Sequence, residues 1–111
     1  MGKLLALLMG HAIADFALQS DWMAKHKHPW RPIDLSTVPP GQTPQRIWPY
    51  VLGAHGLIHG AAVYAVTNRW ELGLAETILH CLIDSGKCAN KYGIHADQFM
   101  HFICKIAWWL L

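Results

Sequence analysis

His55 and His59, in the run Ala54-His55-Gly56-Leu57-Ile58-His59-Gly60, stand one helical turn apart within Ile47 to Thr67, a stretch with no Asp, Glu, Lys or Arg. At a four-residue spacing both rings leave the same face of a helix. The spacing returns in the other three apolar stretches, as His11 with Asp15, His80 with Asp84, and Asp97 with His101. Imidazole and carboxylate are common protein ligands for zinc, manganese and iron, and an i,i+4 pair presents two of them to one ion. These eight groups are too many for one tetrahedral ion and suit two divalent transition metals sharing a bridging carboxylate. Di-iron carboxylate bundles use related helix geometry with Glu and His. Any one pair has a plainer reading, a histidine hydrogen-bonded within a core. For the four together the rival is a metal-free network of His–Asp pairs.

Residues one turn further along the same stripes extend the pattern. Glu76 precedes His80 and Lys105 follows His101, which predicts an ion pair shielding the site on the side of the chain termini. Gln19 and Lys87 continue the stripes towards the other end, where a polar, cationic mouth would admit an anionic substrate. Gln98 adjoins Asp97 and is placed to hydrogen-bond a ligand from behind. Cys88 lies one turn past Asp84, as an extra ligand or, more simply, a packed thiol. Gly53, Gly56 and Gly60 would let a second helix approach closely or make room for substrate.

The elements that must carry these groups are helical. A chain of 111 residues is one domain with one core. The first helix is expected from about Lys3 to Lys25. Five of the six prolines then fall between His26 and Gln45, so about residues 26–46 form a loop, long for a compact domain. The second helix starts near Ile47, tolerates Pro49 in its first turn and ends around Asn68-Arg69. The third runs from about Glu71 to Asn90. Gly93 is a good residue for the left-handed position after it, and the fourth helix begins near His95. No stretch alternates as a strand does, so the expected fold is all-α, an up-and-down four-helix bundle. At ~1.5 Å per residue the pairs on the first three helices fall at one level. The fourth fits less well, because Asp97 follows Gly93 so soon.

Composition points to a membrane-embedded bundle. The apolar fraction is 53%, the charged fraction only 14%, and six tryptophans are many for this length. Trp22, Trp48, Trp70, Trp108 and Trp109 sit at helix ends, like an aromatic belt, and the second helix is long enough to span. Membrane lipid is then a partner. Lys25, Lys27, Arg31, Arg46, Lys87 and Lys91 on one side place the long loop in the cytoplasm by the positive-inside tendency. The blander reading is a soluble or peripheral bundle whose tryptophans cap a core. Lys3 and the following leucines resemble a signal-peptide core, but the pattern continues through His11 and Asp15 with no cleavage signal and is kept as structure. A net charge of +2 gives no nucleic-acid footprint. The odd number of cysteines, Cys81, Cys88 and Cys104, fits reduced thiols within helices.

The segments His11 to Trp22, His55-Gly-Leu-Ile-His59-Gly60, His80-Cys-Leu-Ile-Asp84 and Asp97-Gln98-Phe-Met-His101 resemble the bacterial and phage family filed as domain of unknown function 3307. The resemblance covers most of the chain outside the proline-rich loop. It implies a small, membrane-associated helical protein, of a bacterial inner membrane or a phage-infected cell, and supports the histidines and aspartates at the matching positions. A looser similarity links the His/Asp arrangement to HD-type and membrane-bound metal-dependent hydrolases, although the contiguous His-Asp dipeptide of the former is missing.

The leading expectation is therefore a metal-dependent hydrolase of a phosphoester or similar anionic substrate. Asp15, Asp84 or Asp97 would bridge or orient two ions, the five histidines would complete the shells, and Lys87 would help bind substrate. The alternatives are a non-enzymatic metal carrier or metal-stabilised bundle, and a phage-type membrane interaction protein with a metal-free polar core. A homo-oligomer is compatible with each.

Overall fold

The computed structural model describes all 111 residues, which form helices and connections with no strand. α1 (Gly2–Ala12) is built on leucine and alanine, residues with high helix propensity. It widens into a π-helical turn over Ile13–Ala17, in which the Leu18 N–H donates to the Ile13 carbonyl at 2.9 Å. The expected single helix to Lys25 therefore breaks at Leu18-Gln19. Ser20 restarts the chain by accepting from the Met23 N–H at 3.1 Å, an N-cap that opens the short α2 (Asp21–His26). The proline-rich connection follows, with one 3₁₀ turn at Leu35–Thr37.

α3 (Trp48–Thr67) takes Pro49 in its first turn, where no intrahelical donor is needed. Asn68, left-handed at φ 55°, ends it, and two residues lead into α4 (Trp70–Cys88). Asn90, also left-handed at φ 58°, supplies the turn before α5 (Ile94–Leu110). Gly93 instead has extended backbone at the N-cap of α5, so it is not the left-handed residue its type suggested. Because α4 stops at Cys88, Asp84 lies one turn before its end and Asp97 one turn after the start of α5. The poor fit of the fourth helix in the sequence came from drawing α4 too long.

α3 and α4 meet along a glycine seam. A Cβ on Gly60 would lie 2.5 Å from the Gly73 carbonyl oxygen, and one on Gly73 would lie 2.8 Å from that of Gly60. Gly56 faces Thr77 in the same way, and Cys81 donates weakly to the Leu52 carbonyl at 3.6 Å. Gly53 has open space, so only two of the three α3 glycines serve the approach. α1 packs on α3 where Gly10 meets Ala62, and α5 packs on both α4 and α1. Leu7, Val63, Leu72 and Trp108 form a small apolar cluster at the end where the termini lie. The rest of the interior is unusual: of 21 buried residues, ten are polar or charged.

No helix is long and apolar enough to cross a membrane. This corrects the membrane-embedded location and, with it, the assignment of the long loop to the cytoplasm. The reason lies in the residues themselves. The apolar run of α1 ends at its π turn, and α3 spends its length on two histidines, three glycines, a proline and two tyrosines. Trp108 is a buried core residue whose indole N–H donates to Glu76 at 2.6 Å, not part of a belt.

The seam gives a paired prediction. Gly60→Ala forces a methyl against backbone and should cost about 1–3 kcal/mol, seen as a lower thermal midpoint. Gly53→Ala, in open helix surface, should instead stabilise by up to ~1 kcal/mol. Equal midpoints for the two variants would show that the close approach does not exist.

Candidate metal centre

The π turn decides where Asp15 points. An extra residue in the turn redirects the carboxylate relative to a regular helix, and such turns are frequent at functional sites. Asp15 Oδ1 stands 3.4 Å from Nε2 of both His55 and His59, and its Oδ2 stands 3.8 Å from His11 Nε2. His80 enters from α4 with its ring stacked on His59, centroids 3.6 Å apart and planes 18° apart. One ligand atom each from Asp15, His55, His59 and His80 lies within 4.8 Å of the others. His101 from α5 stacks on the far face of His80 at 4.3 Å. All five histidines on the predicted stripes therefore converge, from four helices.

Gln98 holds the α1–α5 side together. Its amide nitrogen donates to Asp15 Oδ2 at 2.8 Å and to Asp97 Oδ2 at 3.2 Å, while its oxygen lies 3.1 Å from His11 Nε2. Asp97 Oδ1 lies 3.5 Å from His101 Nε2. On the side of the termini, Lys105 donates to Glu76 Oε1 at 2.5 Å and Trp108 donates to Oε2, which completes the expected ion pair. Glu76, His80 and His101 form a second group of metal-type ligands, but both carboxylate oxygens of Glu76 are already engaged.

The other end holds the residue that sequence reasoning missed. Lys27, expected in an exposed loop, is buried and donates at 2.5 Å both to Asp84 Oδ2 and to Gln19 Oε1. Lys87 lies 3.3 Å from Asp84 Oδ1 and 3.6 Å from Asp97 Oδ2, bridging the two carboxylates while remaining partly exposed. Asp84 and Asp97 are thus in the same layer as the histidines but are matched to lysines. Gln19, expected at a cationic mouth, has its amide oxygen engaged by Lys27. Nothing in the local pattern distinguishes Lys27 from Lys25; only its place at the C-terminal end of a six-residue helix aims it inward.

Electrostatics follow from burial. Burial would raise the Asp15 carboxyl, but His55, His59 and Gln98 outweigh it and hold Asp15 well below the usual carboxylate range. Burial likewise opposes ionisation of Asp97, and His101 and Lys87 overcome it. Burial lowers His11, His59 and His80, bringing His59 to about 4, so these rings are neutral at neutral pH and able to ligate. Lys87 is held above its ordinary value because Asp84 and Asp97 outweigh desolvation. The three cysteines are free thiols, and burial raises each of them. None joins either ligand group.

No protein family, curated protein or solved structure matches the chain. The resemblance to the family of unknown function therefore rests on the motifs alone, and the site must be judged on its own geometry.

A pH dependence follows from the direction of the histidine shifts. Between pH 6.5 and about 4 the unfolded chain protonates a histidine that the folded chain keeps neutral, so stability falls as the pH drops through that window. For His59 alone the loss approaches ~3 kcal/mol. Asp15 and Asp97, depressed in the fold, contribute above about pH 4 and lose that contribution only in stronger acid. Thermal unfolding in chelator from pH 8 to pH 4.5 should show a falling midpoint that begins near pH 6.5. His59→Gln should flatten the slope; an unchanged slope would contradict the neutral, buried state assigned to this ring.

Proposed function

We propose that the chain is a metalloprotein in which Asp15, His55, His59 and His80 hold one divalent transition metal, and that this centre serves hydrolysis of a phosphoester or similar anionic substrate. The supporting observation is an imbalance of buried charge. Glu76, Asp84 and Asp97 each have a lysine within 4.0 Å, whereas Asp15 has only imidazoles and an amide. Beside it, both ring nitrogens of His55, His59 and His80 are buried without a hydrogen-bond partner. An orphaned buried polar atom costs about 1–3 kcal/mol. Even the two on His80, which have no carboxylate as close as the 3.4 Å between Asp15 and the rings of His55 and His59, are a sizeable share of the net stability of a small domain. A cation at Asp15 would neutralise the carboxylate and take up one nitrogen of each ring, half of these atoms.

The donor set, three imidazoles and a carboxylate, suits zinc, manganese or iron. Such an ion would polarise an ester and bring the pKa of a bound water to about 7. The chain's own residues do the rest. Gln98 fixes the Asp15 carboxylate and the His11 ring, and His101 packs behind His80. Asp84 and Asp97 position Lys27 and Lys87 instead of ligating, and Lys87 is the partly exposed cation placed to meet an anion. One ion is favoured over two because Lys105 and Trp108 already satisfy Glu76 in the second group. The fold proposed to carry the centre is an up-and-down four-helix bundle. It is supported by residue pairs that run in opposite order along neighbouring helices: Leu52 with Cys81 and Gly60 with Gly73, then Glu76 with Lys105 and Lys87 with Asp97.

A second reading, a metal that only holds the helices together, is favoured by the depth of the site, since His55, His59 and His80 are at most 1% exposed. One set of measurements separates the two. The purified chain should take up about one zinc or manganese ion. Metal at 100 times its Kd should add about 2.7 kcal/mol of stability. His59→Ala and Asp15→Asn should each weaken binding by more than tenfold. Under the hydrolase reading the loaded chain cleaves bis(p-nitrophenyl) phosphate and chelation abolishes it. Metal uptake and stabilisation without turnover select the structural reading, and failure to bind either metal overturns both.

A further inference from the structure

The connection between α2 and α3 borders a second site, away from the buried histidine layer. The segment from Trp22 to Val38 arches over the start of α3 and leaves a cavity of about 490 Å³. This volume lies within the usual range for small-molecule pockets, about 300–1,000 Å³. Its walls are of two kinds. Lys25, Arg31 and Arg46 supply three cationic heads against one acid, Asp34. None of the three has a carboxylate within 4.0 Å: the chain's ion pairs all fall on other residues. Asp34 is turned into its own loop, accepting from the Ser36 N–H at 3.0 Å and from its hydroxyl at 2.6 Å.

The other wall is flat and apolar. Trp22 and Trp48 both face the cavity. The Trp22 ring is stacked on His26, with centroids 4.4 Å and planes 18° apart, yet more than half of it is exposed. An exposed, rigidly backed indole is a surface for a second ring. The start of α3 closes the cavity with Ile47 and Trp48; it adds no run of free donors, because Pro49 has no N–H and the Tyr50 and Val51 N–H groups donate to the Ile47 carbonyl at 3.1 and 3.2 Å. Arg46 donates to the carbonyls of Pro29 at 3.3 Å and Arg31 at 3.4 Å, which fixes the arch above the helix start. Both bonds use one guanidinium nitrogen and leave the others for a ligand.

From this juxtaposition of unpaired cations with an exposed indole backed by His26 we propose that the cavity binds a phosphorylated small molecule with a flat ring, of the nucleoside monophosphate class. The phosphate sits between Arg31 and Arg46, where bidentate guanidinium contacts are available. The ring lies against Trp22. The site is independent of the metal reading, because none of the eight predicted ligands lines it. It has a structural link to the histidine layer all the same: Lys27, which anchors to Asp84, sits between two residues of the cavity wall, His26 and His28.

Isothermal titration of the full chain in chelator tests the proposal, with adenosine 5′-monophosphate, adenosine and inorganic phosphate as probes. The monophosphate should bind saturably, and adenosine and phosphate should each bind at least ~10-fold more weakly, because each meets only one wall. Arg31→Gln and Trp22→Leu, both at exposed positions, should each reduce affinity by about 5- to 20-fold, while Lys3→Gln on α1 should not change it. Circular dichroism of each variant establishes that it is folded. Phosphate binding as tightly as the monophosphate, indifference to both Arg31→Gln and Trp22→Leu, or no saturable heat up to millimolar ligand would each overturn the proposal.

Discussion

Four acidic side chains are folded into the middle of a small helical protein, and each must be neutralised where it stands. In a low-dielectric interior an uncompensated carboxylate costs several kcal/mol, comparable with the net stability of a domain this size. Three of the four are met by lysines that arrive from different parts of the chain: Lys27 to Asp84, Lys87 to Asp84 and Asp97, Lys105 to Glu76. Asp15 is met by imidazoles and Gln98. Because the apolar cluster is only four residues deep, this layer, more than the cluster, determines which helix faces which. Hydrophobic contacts would tolerate a slipped register; an Asp84 that has lost Lys27 would not. Buried polar groups are well attested in that role.

The glycine seam is what lets the layer be so dense. Gly56 and Gly60 flank His59 on α3, and Gly73 and Thr77 precede His80 on α4. With the backbones that close, His59 and His80 meet ring on ring at 3.6 Å, a distance two helices at ordinary spacing would not give their histidines. Neutral rings stack without cost, whereas two imidazolium rings at that distance would repel. The lowered pKa values of His59 and His80 and the closeness of the helices are thus two views of one arrangement. Any cation bound at Asp15 would find the rings of His59 and His80 already neutral and already positioned.

Much of this was legible in the sequence. A period of four fixes a helical face whatever surrounds it, so the His/Asp pairs, the Glu76–Lys105 pair and the position of Gln98 followed from spacing alone. The all-α class followed from the same periodicity. What spacing cannot show is where a helix changes its pitch or stops. The π turn at Ile13–Ala17 leaves no compositional mark, and the stop of α4 at Cys88 depends on Asn90 adopting a left-handed conformation that glycine at 93 seemed better suited to supply. Membrane character was misjudged for a related reason. Composition counts apolar residues over the whole chain, whereas crossing a bilayer needs them uninterrupted along one helix, and here histidine, glycine and the π turn interrupt them.

The proline-rich connection shows most clearly how a segment with no periodicity can still be specified. A loop of this length is either a mobile strap or a packed cover, and contacts at its two ends decide for the cover. At its beginning Lys27 is drawn into the interior by Asp84 and Gln19, a pull strong enough to bury an ammonium that would otherwise stay in water. At its end Arg46 returns to hold the carbonyls of Pro29 and Arg31. Between these anchors the prolines limit how far the chain can wander, because each fixes φ and lowers the entropy of the unfolded loop. The price of ordering twenty residues is thereby reduced, and the arch they form is held over the start of α3. Lys27 ties that arch directly to the acidic layer, so any rearrangement of Asp84 must be felt by the loop, and any displacement of the loop by Asp84.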